Sequence, residues 1–218
     1  PIVGNLATVY MYAGDRWSQD TGVGFGRNAW YPVVFSGNTP KIIGDDSWTV
    51  DPVTGILTAG TTATTSVTKD AMVKAKFPND PFGGDTILQV SNQSGFEKQT
   101  FLQFSVSGVP AGATIVSAQL KLRSQTTGSS RPVTAHIVTN TGWNEATLTW
   151  NTPKPTLGAA LSTQSTHTSG TDSVWDVTAA ITGNGNFAIG LETTVSGDTT
   201  FSSREGTNDP VLVVYYQP

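Results

Sequence analysis

The sequence contains no cysteine, and this absence excludes disulfide bonds, thiolate metal sites and cysteine nucleophiles. Charged residues make up 13% of the chain and the net charge is -4, whereas roughly a quarter of an average globular domain is charged. Lysine and arginine form no cluster, so the chain lacks the basic surface that meets nucleic-acid phosphates. No apolar run reaches the roughly 18 residues of a membrane-spanning helix. We therefore expect neither nucleic acid nor a membrane as a partner.

Motifs of the common catalytic sites are absent as well. The chain has no GxSxG elbow, no P-loop and no GxGxxG that opens a helix. Its two histidines, His136 on a predicted strand and His167 in a predicted surface loop, are not spaced as a zinc-binding pair. Glycoside hydrolysis needs two carboxyl groups that face each other across a cleft, and nothing in the sequence pairs any two of them. We predict no catalytic residue in this chain.

Threonine, serine and glycine are plentiful instead, with 23 glycines, a composition that suits strands and turns better than long helices. Short β-prone runs follow one another at the spacing of about 8–12 residues that is typical of a β-sandwich. The sequence therefore predicts an all-β, antiparallel sandwich of Greek-key or jelly-roll type, and a short helical turn at 178–182. The predicted strands are 71–75, 86–90, 98–106, 114–124, 133–138, 173–177, 186–192, 199–204 and 211–215.

The first 57 residues differ from the rest of the chain. They contain three predicted strands, at 7–12, 30–35 and 41–50, which together are too small to be stable alone. A threonine-rich stretch follows, so we divide the chain into an N-terminal segment (1–57), a linker (58–65) and a sandwich (66–218). The end of that stretch is equally consistent with the first strand of the sandwich.

Alternation marks the two faces of the clearest strand. Ala118, Leu120 and Leu122 point one way, toward the core. Its other face carries four polar side chains, which match the hydroxyl groups of a sugar, and the two basic ones also suit acidic sugars. These ligand-binding candidates are Gln119, Lys121, Arg123 and Gln125. The alternative is an ordinary solvated strand face. In the run 100–106 we expect the Leu102, Phe104 and Val106 face to meet the core.

Calcium is the one cofactor for which the sequence offers a candidate. Asn79, Asp80 and Asp85 bracket a Gly-Gly turn, and loops of β-sandwiches hold calcium through carboxylates and carbonyls. No EF-hand spacing is present, so a structural calcium ion is an option and the identity of any metal ligand stays open.

Arg204 and Glu205 form an adjacent pair of opposite charge. If the strand at 199–204 continues to them, alternation sends the two side chains to opposite faces. We therefore expect Arg204 to pair with a carboxylate on a neighbouring strand, either Asp70 or Asp176. Glu205 would accept hydrogen bonds at the turn into Gly206.

Two parts of the chain resemble known families. The stretches KDAMVKAKFPNDPFGG, FLQFSVSGVPAGATIVSAQLKLR, TGWNEATLTWNTPKP, WDVTAAI and FSSREGTNDPVLVVYY resemble a DNRLRE-type domain over about 66–216. That domain is a β-sandwich of secreted and cell-surface proteins, grouped with carbohydrate-binding modules. The stretches YMYAGDRW, WYPVVF and DDSWTVDPVTG are similar to the closing part of a five-bladed β-propeller of glycoside hydrolase family 43, which implies a three-stranded, propeller-blade-like segment at the N-terminus.

These resemblances imply a non-catalytic, polysaccharide-binding module at the C-terminus of a secreted glycoside hydrolase. The remaining N-terminal propeller portion of that parent enzyme is then a partner, besides the polysaccharide. The pattern positions of the sandwich are expected to be scaffold, namely Trp143, Glu145, Trp150, Trp175 and Asp176. Two alternatives remain: a structural clamp for the propeller, which would bury Trp17, Trp30 or Trp48 against the sandwich, or part of an active galactan- or arabinan-type glycosidase.

Overall fold

The computed structural model describes residues 2–4, 8–16, 27–36, 39–42, 48–50, 55, 57–59 and 61–217. Its N-terminal strands are β1 (Ile2–Val3), β2 (Thr8–Arg16), β3 (Arg27–Ser36), β4 (Thr39–Ile42), β5 (Trp48–Val50) and β6 (Leu57–Ala59). Residues 61–217 form β7 (Thr61–Lys74), β8 (Ile87–Val90), β9 (Lys98–Val106), β10 (Thr114–Arg123), β11 (Val133–Val138), β12 (Ala160–Gln164), β13 (Asp172–Asp176), β14 (Gly185–Thr193), β15 (Thr199–Ser202) and β16 (Val211–Gln217).

Eight strands of the second region form one antiparallel sheet in the order β12-β11-β14-β9-β7-β16-β10-β13. The long strand β7 joins its two halves, because residues 61–66 pair with β16 while residues 67–74 pair with β9. A register shift between Val67 and Lys69 marks the change of partner, and such irregularities bend a strand. The sheet folds there into two facing layers.

The main core lies between these layers. It receives Leu102 and Phe104 from one layer and Leu120 and Leu122 from the other, all fully buried. The short pair β8–β15 adds Phe201 to the same core. The all-β, antiparallel sandwich expected from the sequence is therefore confirmed, as are the core-facing sides of β9 and β10.

A second core covers the outer face of β9. The segment 139–159, between β11 and β12, places Trp143 and Leu148 against Phe101 of β9 and Val73 of β7. Phe101 is consequently as deeply buried as Leu102. Because alternation reports only local direction, the sequence did not indicate that a long connection would cover this second face.

The N-terminal strands β1–β4 form an antiparallel sheet in chain order, and β5 pairs with β6. A small apolar cluster connects this region to the sandwich through Val9, Leu57, Val116 and Tyr215. The Ser117 hydroxyl also donates a 2.7 Å hydrogen bond to the Leu57 carbonyl. The N-terminal segment therefore packs on the outer face of β10 and β16.

Of the three tryptophans that a clamp would bury, the structure describes the side chain of Trp30. Trp30 is 56% exposed, whereas Trp17 and the Trp48 side chain lie outside the described residues. Trp30 therefore does not provide the buried contact that the clamp alternative requires.

Most predicted element positions agree with the structure. A 3-10 helix at Thr178–Ala180 confirms the predicted helical turn. Strands β1, β6 and β12 were not predicted. Strand β15 ends at Ser202 rather than at residue 204, and residues 61–65, assigned to a linker, lie in β7. The division into domains stays a prediction. Among the described residues, the structure contains no helix of the length and apolarity that crossing a membrane requires.

Candidate functional site

A surface pocket lies where β10 runs between β13 and β16. Lys121 is opposite Val174 of β13 and Val211 of β16, and Arg123 is opposite Asp172. The pocket has a volume of about 370 Å³. It is lined by Lys121, Arg123, Asp172, Asn208, Asp209 and Val211. Ammonium, guanidinium, carboxylate and amide groups therefore converge on one open cavity.

The two basic residues of the pocket differ in what binds them. The Arg123 guanidinium lies 3.1 Å from Asp172 Oδ1 and donates a hydrogen bond to the Gly170 carbonyl. Lys121 makes no ion pair with any residue that the structure describes. Arg123 is thus held by the protein, whereas the ammonium group of Lys121 is available to a ligand.

The structure brings together two of the four predicted ligand-binding residues. Lys121 and Arg123 share the pocket, while Gln125 lies outside it and donates a 3.1 Å hydrogen bond to the Ser202 hydroxyl. Gln119 is only 6% exposed, so the expectation of a solvated side chain was wrong there. It lies mid-sheet between Asp176 and Val213, next to the stretch of β10 that the N-terminal segment covers.

A second group of charges, the acid cluster, lies at Arg204. It consists of Asp70 on β7, Glu145 in the segment 139–159 and Glu205 in the turn after β15, and one carboxylate oxygen of each lies within 4.8 Å of the others. Gly83 permits this arrangement, because any side chain there would collide with the Glu145 carbonyl oxygen. Residues far apart in sequence thus form one site.

Arg204 holds the acid cluster together. Its Nη2 lies 2.6 Å from Glu145 Oε2 and 2.9 Å from Glu205 Oε1, and its backbone N–H donates a 2.8 Å hydrogen bond to Asp70 Oδ2. The Asp70 N–H in turn donates to Glu145 Oε1 at 2.7 Å. A single nitrogen therefore bridges two carboxylates.

Two expectations about Arg204 need correction. Its side chain pairs with Glu145 and Glu205 rather than with Asp70 or Asp176, and Asp70 instead accepts the backbone N–H. Because β15 ends at Ser202, residues 204 and 205 occupy a turn, where strand alternation does not apply.

Asp70 is the buried member of the acid cluster. It is 1% exposed, and among the described residues no hydrogen-bond donor reaches its Oδ1. Burial raises the pKa of Asp70 to about 7, against the lowering effect of the Arg204 N–H, and the nearby Glu205 and Glu145 raise it further. A carboxylate without a full set of partners is costly in such a site.

Aromatic rings are exposed at a third place, the loops on either side of β8. Phe77 and Phe96 are 45% and 41% exposed, and Lys76 Nζ lies 5.5 Å and 4.7 Å from their ring centres. Aromatic planes beside polar groups suit the apolar C–H faces of sugars. The sequence reasoning missed this pair, although Phe in a turn-rich, polar stretch was a usable signal.

The family model of carbohydrate-binding module family 96 matches residues 61–216, which is the whole sandwich from β7 to β16. The chain belongs to carbohydrate-binding module family 96. The polysaccharide partner expected from the sequence is thereby supported at the level of the family.

Two solved structures share a likeness with this family 96 chain. Both are of an exo-β-1,3-galactanase from Phanerochaete chrysosporium, one with β-1,3-galactotriose (16% identity, TM-score 0.34) and one with galactose (20% identity, TM-score 0.30). In each case the match covers 97% of this chain and 42% of the galactanase chain, so this chain spans less than half the length of that enzyme. No curated protein sequence matches it significantly.

Two of the pattern residues of this family 96 sandwich are buried, and Glu145, Trp150 and Asp176 are half-buried. Trp175 is fully buried and donates its indole N–H to the Val133 carbonyl at 2.8 Å, and Trp143 belongs to the second core. Asp176 Oδ1 accepts the Thr178 N–H at 2.9 Å. These contacts support the scaffold assignment, except that Glu145 also belongs to the acid cluster.

The histidines also have structural partners. His167 was expected in a surface loop but is 2% exposed; its Nδ1 lies 2.7 Å from the Ser173 hydroxyl and its Nε2 3.0 Å from the Arg131 carbonyl. Hydrogen bonds at both nitrogens let the ring enter the core, a fact that the polar neighbouring sequence concealed. His136 lies on β11 as predicted, 3.2 Å from Glu192 Oε1.

The turn that was a candidate for calcium has other contacts. Asp85 lies 3.5 Å from Lys74 Nζ, Asn79 Oδ1 accepts a 3.0 Å hydrogen bond from Asn151, and Asp80 is exposed. A calcium ion in this turn stays a prediction.

Proposed function

We propose that this chain is a non-catalytic module that binds polysaccharide and thereby holds a secreted glycoside hydrolase on its substrate. The observation that carries the proposal is the family 96 match over the whole sandwich, residues 61–216. Tethering raises the effective concentration of substrate at a linked catalytic domain without any chemistry in the module. The link to such an enzyme, and the more specific DNRLRE assignment, are supported by the sequence resemblances of residues 1–57 and 66–216.

We assign polysaccharide binding to the pocket beside β10. Lys121 offers an ammonium group without an ion-pair partner among the described residues, and Asp172, Asn208 and Asp209 offer acceptors and an amide. A sugar presents hydroxyl groups that donate and accept hydrogen bonds, and a few convergent polar groups set its orientation. The exposed Phe77 and Phe96 are a second surface for the same ligand class.

Glycan arrays and affinity electrophoresis on galactans, arabinans, xylans and uronate polymers test this proposal. We expect retention on at least one polymer, loss of most of that retention in Lys121→Ala, and little change in Gln125→Ala, which lies outside the pocket. If Phe96→Ala loses this retention instead, the binding site is the aromatic surface of Phe77 and Phe96. No retention on any polymer, or turnover of polymer by this chain alone, would refute the proposed function.

A structural role is the second candidate, and the contact between Leu57 and the sandwich favours it. In this role the sandwich stabilises the propeller-like segment and has no affinity for glycans. We expect the backbone amides of β2 and β3 to exchange hydrogen faster in Leu57→Ala. The reason is that the apolar cluster of Leu57, Val116 and Tyr215 loses the contacts of the leucine side chain. Unchanged exchange would argue against a clamp.

A further inference from the structure

The acid cluster carries an excess of negative charge. Three carboxylates from separate chain segments, Asp70, Glu145 and Glu205, approach within 4.8 Å of one another. Arg204 provides one positive charge within reach, through Glu145 and Glu205. With all three acids ionised, the group therefore keeps two negative charges, which is the charge that one divalent cation balances.

A buried oxygen without a hydrogen-bond partner among the described residues is a second, independent indication that the cluster binds a cation. Asp70 is 1% exposed and reaches the other two carboxylates, yet its Oδ1 has no hydrogen-bond partner in the part of the chain that the structure describes. Buried carboxylates in proteins are paired, hydrogen-bonded or bound to a metal. The Arg204 N–H serves only the other oxygen, Oδ2.

The donor set selects the kind of cation. All three ligands are carboxylate oxygens, and the chain has no cysteine, so a hard cation fits better than zinc or copper. Calcium accepts six to eight oxygens, about 2.3–2.6 Å away, in flexible geometry and readily takes backbone carbonyls from loops. Magnesium demands a near-ideal octahedron and keeps its water. Carboxylates from one strand and two loops match the tolerance of calcium.

We propose that Asp70, Glu145 and Glu205 bind one calcium ion, which fastens the segment 139–159 and the turn at Arg204 to β7. Such an ion would supply the partner that Asp70 Oδ1 lacks and would offset the repulsion among the three acids. Arg204 continues to hold Glu145 and Glu205 from its own side. The site is separate from the pocket at Lys121, so this inference does not depend on glycan binding.

The test uses the full chain, stripped with EDTA, at pH 8. Isothermal titration calorimetry with calcium chloride is expected to show one site per chain. A calcium concentration about 100 times Kd is expected to raise the melting temperature by about 5 °C or more. Absence of binding at millimolar calcium, or an equal shift with magnesium at the same concentration, would overturn the proposal.

Variants locate the ion. Asp70→Asn keeps the size and the acceptor for the Arg204 N–H but removes a charge, and we expect it to weaken calcium binding by about tenfold or more and to reduce the thermal shift to about half or less. Glu205→Gln, at a less buried position, provides the same test if the first variant folds poorly. Asp80→Asn, in the turn at 79–85, is the matched control and should bind as the unaltered chain does. Calcium affinity that survives both cluster variants, or is lost in Asp80→Asn, would refute the assignment.

Discussion

The pocket at Lys121 and the acid cluster at Arg204 each contain an arginine that forms an ion pair with a carboxylate. The two places differ in how deeply that carboxylate is buried. The Arg123 and Arg204 side chains are 34% and 38% exposed, almost the same. Asp172, the partner of Arg123, is 43% exposed, whereas Glu145 is 19% exposed and stands beside the buried Asp70. Water therefore screens the Arg123–Asp172 pair more than the Arg204–Glu145 pair. The same residue type therefore lines an open pocket in one place and holds buried acids together in the other.

Removing each arginine tests this difference most strongly. Without added calcium, Arg204→Ala leaves three acids facing one another, and we expect it to lower the free energy of unfolding by about 2–3 kcal/mol, which is less than the roughly 3–5 kcal/mol of a fully buried pair because Arg204 is partly exposed. Arg123→Ala is expected to cost about 1 kcal/mol or less. Urea unfolding of both variants provides the measurement.

Equal losses of stability in these two variants would contradict the comparison. If Arg204→Ala instead abolished glycan binding and left stability unchanged, Arg204 would belong to a ligand site and its scaffold role would be wrong.

His167 tests whether burial also shifts the pKa of a group whose charged form is a cation. Burial lowers the pKa of His167 in the folded chain, while the unfolded ring titrates near its ordinary pKa of about 6.5. The unfolded state therefore binds more protons below that pH, and this contribution to stability falls as the pH falls through about 6.5. His167→Gln should remove that part of the pH dependence.

Urea unfolding of the unaltered chain and of His167→Gln between pH 5 and 8 checks the prediction. The difference between the two is required because Asp70, with its pKa raised to about 7, acts in the opposite sense: its contribution to stability falls as the pH rises toward 7. Parallel plots of unfolding free energy against pH for the two proteins would show that folding does not lower the pKa of His167.

Lys121 gives the smallest expected change in stability. It lies on the solvent side of β10 without an ion pair among the described residues, so Lys121→Ala should alter unfolding by about 0.5 kcal/mol or less. The affinity of the Lys121→Ala variant for the polymer that the chain binds is expected to fall about tenfold, or roughly 1.4 kcal/mol. Affinity electrophoresis beside a thermal melt measures both. A large loss of stability would show that the pocket is structural, like the acid cluster.

Local patterns in the sequence were sufficient for much of the fold. Leu120 and Leu122 reach the core because side chains alternate along a strand, and the same rule places Lys121 and Arg123 together on the other face. Gln119 follows that rule in direction but not in exposure. Whether an outward-facing residue meets water depends on what packs near it, here the N-terminal segment, whose Leu57 carbonyl accepts a hydrogen bond from Ser117 of the same strand, 60 positions later in the chain.

Residue type and spacing were enough to predict the all-β character of this chain and its alternating strands, and the resemblance of whole stretches to a known family added the carbohydrate-binding sandwich. The meeting of Asp70, Glu145 and Glu205 at Arg204 and the burial of His167 became visible only in the folded chain. The reason is physical: strand periodicity acts over a few residues, whereas electrostatic environment depends on groups brought together from distant parts of the chain.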